Sequence, residues 1–230
     1  MVAKTAEDAT TLEPKGSQRL SARERLLAAA DELFYAEGVH VVGIDRVLER
    51  ADVAKASLYS TFGSKDELVR AYLEKHFRAR QSRIAAVLAA YDTPRERLLG
   101  VFTDMEESLA GSEFRGCRFI SASAEARPGD ASEAVAEEYR AWLRSLFTEL
   151  ARAAGARDPR QLGRQLSLLY DGAAVAARMD RDRVGAALAV RSAVVALLDS
   201  AIPAKLRTNA NPAASSAPAR RRPSASKPRG

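Results

Sequence analysis

Apolar residues recur every three or four positions along most of this chain, which is the spacing of one helix face packed against a core. Between residues 21 and 37, for example, Leu26, Ala30, Leu33 and Phe34 fall on a single face. No segment of useful length alternates apolar and polar residues as a half-buried strand does. The pattern therefore predicts an all-α protein.

Capping residues mark where the predicted helices begin. Ser21 is followed three positions later by Glu24, which is the form of a capping box, and similar pairs begin at Ser64, Thr93 and Asp130. Together with glycine and proline positions, these signals predict about nine helices, at 21–37, 44–50, 54–62, 64–90, 93–110, 117–126, 130–154, 158–178 and 181–200.

The two ends of the chain lack this periodicity. Residues 1–20 are polar and unpatterned, so we expect a flexible N-terminal arm. From residue 203 onward the sequence is rich in Ala, Ser, Pro and Arg, which bury too little apolar surface to offset the entropy of ordering. We therefore expect a disordered basic tail at 203–230.

The net charge of +6 suggests an acidic partner such as DNA, but its location weakens that argument. The tail carries seven basic residues and no acid, which leaves residues 1–202 at about −1. Any DNA-binding role must therefore rest on where individual side chains lie.

Several classes of protein are not expected. The single cysteine and two histidines predict no disulfide framework, no metal site and no cofactor. No continuous apolar run reaches the roughly 18 residues of a membrane span, and the N-terminus does not read as a signal peptide, so we expect a cytoplasmic protein. We find no catalytic triad, phosphate-binding glycine loop or di-iron motif, so we do not expect an enzyme.

The segment predicted to be helical at 54–62 has two distinct faces. Leu58 and Phe62 face one side, where they can pack on a core, and Ser57, Ser60 and Thr61 form a small polar face opposite. Small hydroxyls beside a lysine and a tyrosine suit insertion into the DNA major groove, where bulk would keep the helix from the base edges. The same pattern also fits the solvent face of a structural helix.

A longer motif surrounds that helix. The chain carries Phe34, then an acid and Gly38, then Ala-x-Val-x-Lys-x-Ser-Leu-Tyr-x-x-Phe from Ala51, then Ser-Lys-Asp-Glu-Leu ending at Leu68. Over about fifty residues this resembles the N-terminal domain of the TetR family of transcription regulators. The resemblance implies a helix-turn-helix DNA-binding domain at 21–66 and a C-terminal ligand-binding and dimerisation domain at 67–202.

The resemblance also implies which side chains contact a double-stranded DNA operator. The helix at 54–62 enters the major groove, and the helix at 44–50 supports it. The implied DNA-binding residues are Gly43, Arg46, Lys55, Ala56, Ser57, Tyr59, Ser60, Thr61 and Lys65.

Three positions depart from the family pattern. Gly43 stands where the family has Thr, Asp52 where it has Gly, and Ala54 where it has Ser. Two hydroxyls that would face phosphate are therefore missing, and residues 21–66 carry a charge of about −2.

The last two predicted helices carry apolar stripes that the resemblance assigns to a homodimer interface, as part of a four-helix bundle between two copies. Covering the core of their own subunit is the alternative. The stripes comprise Leu162, Leu166, Leu169, Ala173, Val184, Leu188, Val194, Val195 and Leu198.

An apolar cavity for an unknown small-molecule effector is expected between these layers, although the same residues also suit an ordinary core. Its predicted lining is Phe102, Met105, Cys117, Phe119, Trp142, Phe147 and Tyr170. Cys117 lies near a predicted helix start beside Arg115 and Arg118, which can lower a thiol pKa. A buried, inert cysteine is the other interpretation.

These observations predict a repressor that an effector releases from a palindromic operator. Three alternatives remain open at this point. The chain could sense oxidants or electrophiles through Cys117, it could bind DNA or a partner mainly through its basic tail, or it could be a helical-bundle enzyme.

Overall fold

The computed structural model describes residues 20–204, and within that range it contains helices and no strand. The all-α prediction is confirmed. The helices are α1 (Ala22–Glu37), α2 (Ile44–Ala51), α3 (Lys55–Phe62), α4 (Lys65–Ala89), α5 (Pro94–Ala110), α6 (Arg118–Glu125), α7 (Ala131–Ala153), α8 (Pro159–Met179) and α9 (Arg183–Ala201).

The predicted boundaries hold to within two residues because the capping chemistry forms as expected. The Ser21 hydroxyl accepts from the Glu24 backbone N–H at 3.3 Å, and the Glu24 carboxylate accepts from the Ser21 backbone N–H at 2.8 Å. Thr93 and Glu96 make the same reciprocal pair before α5. Asp130 is the N-cap of α7 as expected, but its carboxylate makes no capping hydrogen bond and instead accepts from the Arg127 backbone N–H at 2.8 Å.

Helices α1, α2 and α3 form a small group around a shared core, which we call the head. Leu26, Val47 and Leu58 are fully buried there, and Phe62 is partly buried. The first turns of α4 complete this core through Leu68.

The long helix α4 joins the head to the remaining helices. It packs on α1 and α3 near its start and on α5 and α7 further along. The predicted domain boundary at residue 66 falls in its first turn, and that division remains a prediction.

Helices α5 to α9 form a second, larger group. Helix α8 packs between α7 and α9, and α5 packs on α9. Gly163 allows the close approach of α8 to α7, since a Cβ there would collide with Thr148. Rings from α5, α7 and α8 fill the centre, where Phe102 and Phe147 stack with centroids 5.5 Å apart.

Helix α9 is apolar over most of its length. By length and composition alone it is long and apolar enough to cross a membrane, with only 17% of the relevant window buried within the chain. Sequence analysis missed this property because Arg191 and Asp199 interrupt the run. The predicted arm and tail lie almost entirely outside the described residues.

Candidate nucleic-acid interface and inner cavity

Helix α3 directs its polar side outward because Leu58 anchors the opposite side. Leu58 is fully buried in the head, whereas Tyr59, Ser60 and Thr61 are exposed. Ser57 is half-buried, and Lys55 and Ala56 are exposed at the start of the helix. The predicted contact residues of α3 are therefore accessible, Ser57 only in part.

The hydroxyls of this face are bonded to their own helix. Thr61 Oγ1 and Ser60 Oγ both donate to the Ser57 backbone carbonyl, at 2.6 and 3.1 Å. Each hydroxyl thereby uses its one hydrogen and keeps its lone pairs. In this arrangement they can accept hydrogen bonds from base amino groups.

The cations beside α3 are paired with carboxylates of the head. Lys55 Nζ lies 3.2 Å from Asp45 Oδ1, and the Arg46 guanidinium bonds both carboxylate oxygens of Glu37, at 2.6 and 2.9 Å. That hydrogen bonding lowers the pKa of Glu37 and raises the pKa of Arg46. Neither acidic partner was predicted, because neither pair has the spacing of neighbours on one helix.

Lys65 is less accessible than the resemblance implies. Burial lowers the pKa of its ammonium group, and the charge of Glu125 on α6 opposes that shift. The preceding Ser64 caps α4 by accepting from the Glu67 backbone N–H at 3.1 Å. One of the amides at this helix start is therefore already bonded within the chain.

The departures from the family pattern have visible local effects. Gly43 and Ala54 are the N-cap residues of α2 and α3, and neither helix start receives a side-chain hydrogen bond. Asp52 ends α2 in the left-handed conformation, with φ 52° and ψ 53°. Arg25 donates to the Asp52 backbone carbonyl at 2.7 Å and so ties this turn to α1.

A cavity of about 480 Å³ lies under the head, among α1, α4, α5, α6, α7 and α8. Met105, Cys117, Phe119 and Tyr170, four of the residues predicted to line a ligand cavity, lie in its wall, and binding of a ligand there stays a prediction.

Phe102, Trp142 and Phe147 are absent from the wall of that cavity, so their assignment to it was wrong. Phe102 and Phe147 stack on each other in the core, and Trp142 packs edge-on against Phe77 with centroids 5.5 Å apart. Aromatic residues fill a core and line a cavity with the same helical spacing, so the sequence pattern could not separate them.

The basic residues of the cavity wall were not predicted; they include His76, Arg80, Arg83 and Arg118. Charged and basic residues on a helix usually face solvent, so the sequence pattern gave no direct reason to place these in a cavity wall. The available signal was Arg80 and Arg83, three residues apart and hence on one face of the long helix 64–90.

The Cys117 thiol does not have the environment of a reactive thiolate. Burial raises its pKa and outweighs the backbone N–H groups of Ile120 and Phe119 and the charge of Arg80, which act in the other direction. Of the two interpretations of Cys117, this environment contradicts the lowered pKa and agrees with the buried, inert thiol. Within residues 20–204, no three side chains from His, Cys, Asp and Glu group as a metal site.

The apolar stripes of α8 and α9 divide between two surfaces. Leu162, Leu166, Ala173, Val194 and Leu198 are buried within the chain itself, so their assignment to a dimer interface was wrong. Each of these helices has two apolar faces, and these residues occupy the inner one. Leu169 is half-buried.

The outer faces of the same helices are apolar and exposed. Val184 and Leu188 are 67% and 64% exposed, and Val195 is 36% exposed. The outer side of α8 also exposes three apolar residues at helical spacing that were not predicted, Leu168, Val175 and Met179.

Comparison with known proteins supports the helix-turn-helix interpretation of the head. The family model described as bacterial regulatory proteins of the tetR family matches residues 26–72. A solved TetR-family transcriptional regulator from Streptomyces coelicolor is 32% identical with a TM-score of 0.76, and the match covers 79% of this chain and 96% of that one.

Two curated relatives match over shorter segments. The transcriptional activator FasR of Mycolicibacterium smegmatis is 36% identical over 104 residues, which cover 42% of this chain and 48% of that protein. The transcriptional repressor NemR of Escherichia coli is 30% identical over 105 residues, which cover 45% of this chain and 53% of that protein. The chain thus spans about half the length of these curated relatives.

Proposed function

This chain belongs to the TetR family of bacterial transcription regulators, and from that premise we propose that it is a homodimeric repressor that binds operator DNA. The outward face of α3 carries the proposal. Leu58 fixes the helix on the head while Lys55, Tyr59 and the hydroxyls of Ser60 and Thr61 remain accessible. This arrangement suits insertion of α3 into the major groove.

The homodimer is supported by the exposed apolar outer faces of α8 and α9. Exposed apolar patches of this kind usually mark a protein interface. Pairing α8 and α9 with the same helices of a second copy would give a four-helix bundle and place two heads on one palindromic operator. The same pairing would bury the apolar outer face of α9 against protein instead of lipid, consistent with a regulator acting in the cytoplasm.

The cavity supports release of the operator by a small molecule. Its volume of about 480 Å³ lies in the range of ligand sites. Its wall is joined to the head, since the Tyr35 hydroxyl of α1 accepts from the Arg115 backbone N–H at 2.8 Å and donates to the Gly116 carbonyl at 3.2 Å. A ligand that shifts this wall would favour head positions that do not fit the operator.

Operator binding can be tested with duplexes selected from a random pool by the purified protein. We expect Lys55→Ala and Tyr59→Ala each to weaken binding to the selected duplex about tenfold or more, measured by fluorescence anisotropy at physiological salt. Arg152→Ala, on the surface of α7 away from the head, is the matched control and should bind like the unmodified protein. Unchanged binding by both head variants would contradict the proposed contacts.

A further inference from the structure

We infer that the cavity binds an organic anion, with an apolar or aromatic body and a single carboxylate held by Arg80. The role of that anion as the effector rests on the proposed function, whereas its binding to the cavity does not. Arg80 lies on α4 and lines the cavity together with Arg83, one turn further along the same face.

The body of such a ligand has a suitable surface. Phe119 and Tyr139 stack with centroids 3.9 Å apart on one part of the wall, and Met105 and Leu109 of α5 contribute aliphatic surface. These side chains are almost fully buried within the chain, so they form a preformed apolar wall.

The charge of the wall is not balanced around Arg80. Asp104 on α5 is the nearest acid, with an Oδ2 to Arg80 Nη1 distance of 3.9 Å, but its Oδ1 is already bonded by Arg83. Two guanidinium groups thus share one carboxylate. Among the described residues, the hydrogen bond that Arg80 donates goes to the Tyr170 hydroxyl at 3.0 Å, which leaves most of its five N–H donors available.

At a second part of the wall, two cationic side chains and a histidine surround one carboxylate. The Asp31 carboxylate lies 2.8 Å from His76 Nε2, 3.2 Å from Lys75 Nζ and 3.5 Å from Arg118 Nη2. Burial by itself raises the pKa of Asp31, but hydrogen bonds from His76 and Lys75 and the charge of Arg118 bring it down to about 2. Arg118 also stacks over the Tyr35 ring at 3.6 Å.

The acids that line the cavity do not cancel the excess positive charge around Arg80. Glu107 and Glu113 are exposed, so solvent screens their charges. Asp171 is paired with Arg140, at 2.8 Å, and Arg140 is outside the cavity lining. A carboxylate entering the cavity would therefore gain charge-assisted, potentially bidentate bonds to a partly desolvated arginine.

The inference can be tested with three acids and their neutral amides, which differ in charge but hardly in shape: 3-phenylpropionate, 1-naphthylacetate and decanoate. We expect at least one acid to raise the melting temperature of the full chain by several degrees at saturating concentration. Calorimetry without DNA should show that this acid binds about tenfold or more tightly than its amide. If no acid exceeds its amide, the inference is wrong.

Variants of the wall should change this preference in opposite directions. Arg80→Gln removes the proposed anchor and should abolish the preference for acid, whereas Arg78→Gln, on the exposed side of the same helix, should retain it. Asp104→Asn removes the shared carboxylate and should strengthen the preference, a gain that a damaged fold cannot produce. Equal acid preference in Arg80→Gln and Arg78→Gln would overturn the role of Arg80.

The effector role is measured separately, by adding the preferred acid to the complex with a selected duplex. Release of the duplex supports both the anion site and the proposed regulation. Binding of the acid without release upholds the anion site and contradicts its role as effector.

Discussion

The backbone of Asp52 is strained at the turn that ends α2. It adopts a left-handed backbone conformation, which disfavours side chains with a Cβ by about 1 kcal/mol. Its carboxylate lies 3.5 Å from Arg25 but is fully exposed, so that ion pair contributes little. The bond from Arg25 to the Asp52 backbone carbonyl does not need the side chain.

We therefore expect Asp52→Gly to raise the free energy of unfolding by roughly 0.5 to 1 kcal/mol, measured by urea denaturation. Asp52→Ala is the control, since it removes the carboxylate but retains the strained Cβ, and it should be less stable than Asp52→Gly. A glycine variant less stable than the unmodified protein would show that the exposed ion pair outweighs the strain.

Helix α2 begins without a side-chain hydrogen bond at its N-cap. Gly43 is its N-cap, with an extended backbone, and a Cβ added there meets nothing within 4 Å. A serine hydroxyl at this position can accept from the free amides of the first turn.

We expect Gly43→Ser to raise stability by a few tenths of a kcal/mol and to tighten binding of a selected duplex several-fold, since the resemblance implies a phosphate-facing hydroxyl at this position. Gly43→Ala differs from this variant by one oxygen and serves as the control. Thermal melting and anisotropy measure the two effects. Equal behaviour of the serine and alanine variants would show that the hydroxyl has no role.

Local chemistry explains why the sequence located the helices so well. The pair of Ser21 and Glu24 lies within one turn, so the sequence contains everything that defines it. The buried faces were harder to predict, because Val194 and Val195 are adjacent and equally apolar, yet Val194 is fully buried and Val195 is 36% exposed. Which side meets the core depends on α5 and α8, and no spacing within α9 records their positions.

At the scale of the whole molecule, the outer apolar faces of α8 and α9 predict its assembly. Met179 and Leu188 are 74% and 64% exposed, so replacing either one removes no contact from the core of a single chain. We expect the combined variant Met179→Glu and Leu188→Glu to sediment as a monomer with unchanged helical content, and to bind a selected duplex much more weakly.

Val41→Glu is the control for assembly, because Val41 is 73% exposed on the head, away from α8 and α9. It should sediment like the unmodified protein. A dimer that persists in the double glutamate variant would place the interface elsewhere.

The cavity is the feature that the sequence described least well. Cys117 and Phe119 were assigned to the cavity as apolar residues between the two helical layers. Arg80 was missed because its environment comes from α5 and α8, through Asp104 and Tyr170, which are distant in sequence. Cavities lie between elements, and therefore depend on packing that a one-dimensional pattern does not contain.

The ion pairs of Lys55 and Arg46 in the head affect how steeply DNA binding depends on salt concentration. Lys55 and Arg46 already have Asp45 and Glu37 as internal counterions, so a phosphate must displace a carboxylate before it can take either place. When phosphate replaces the carboxylate, few small ions are released from the protein, and the displaced carboxylate is left facing the duplex. The affinity should consequently decline less steeply with ionic strength than a count of the basic side chains would suggest.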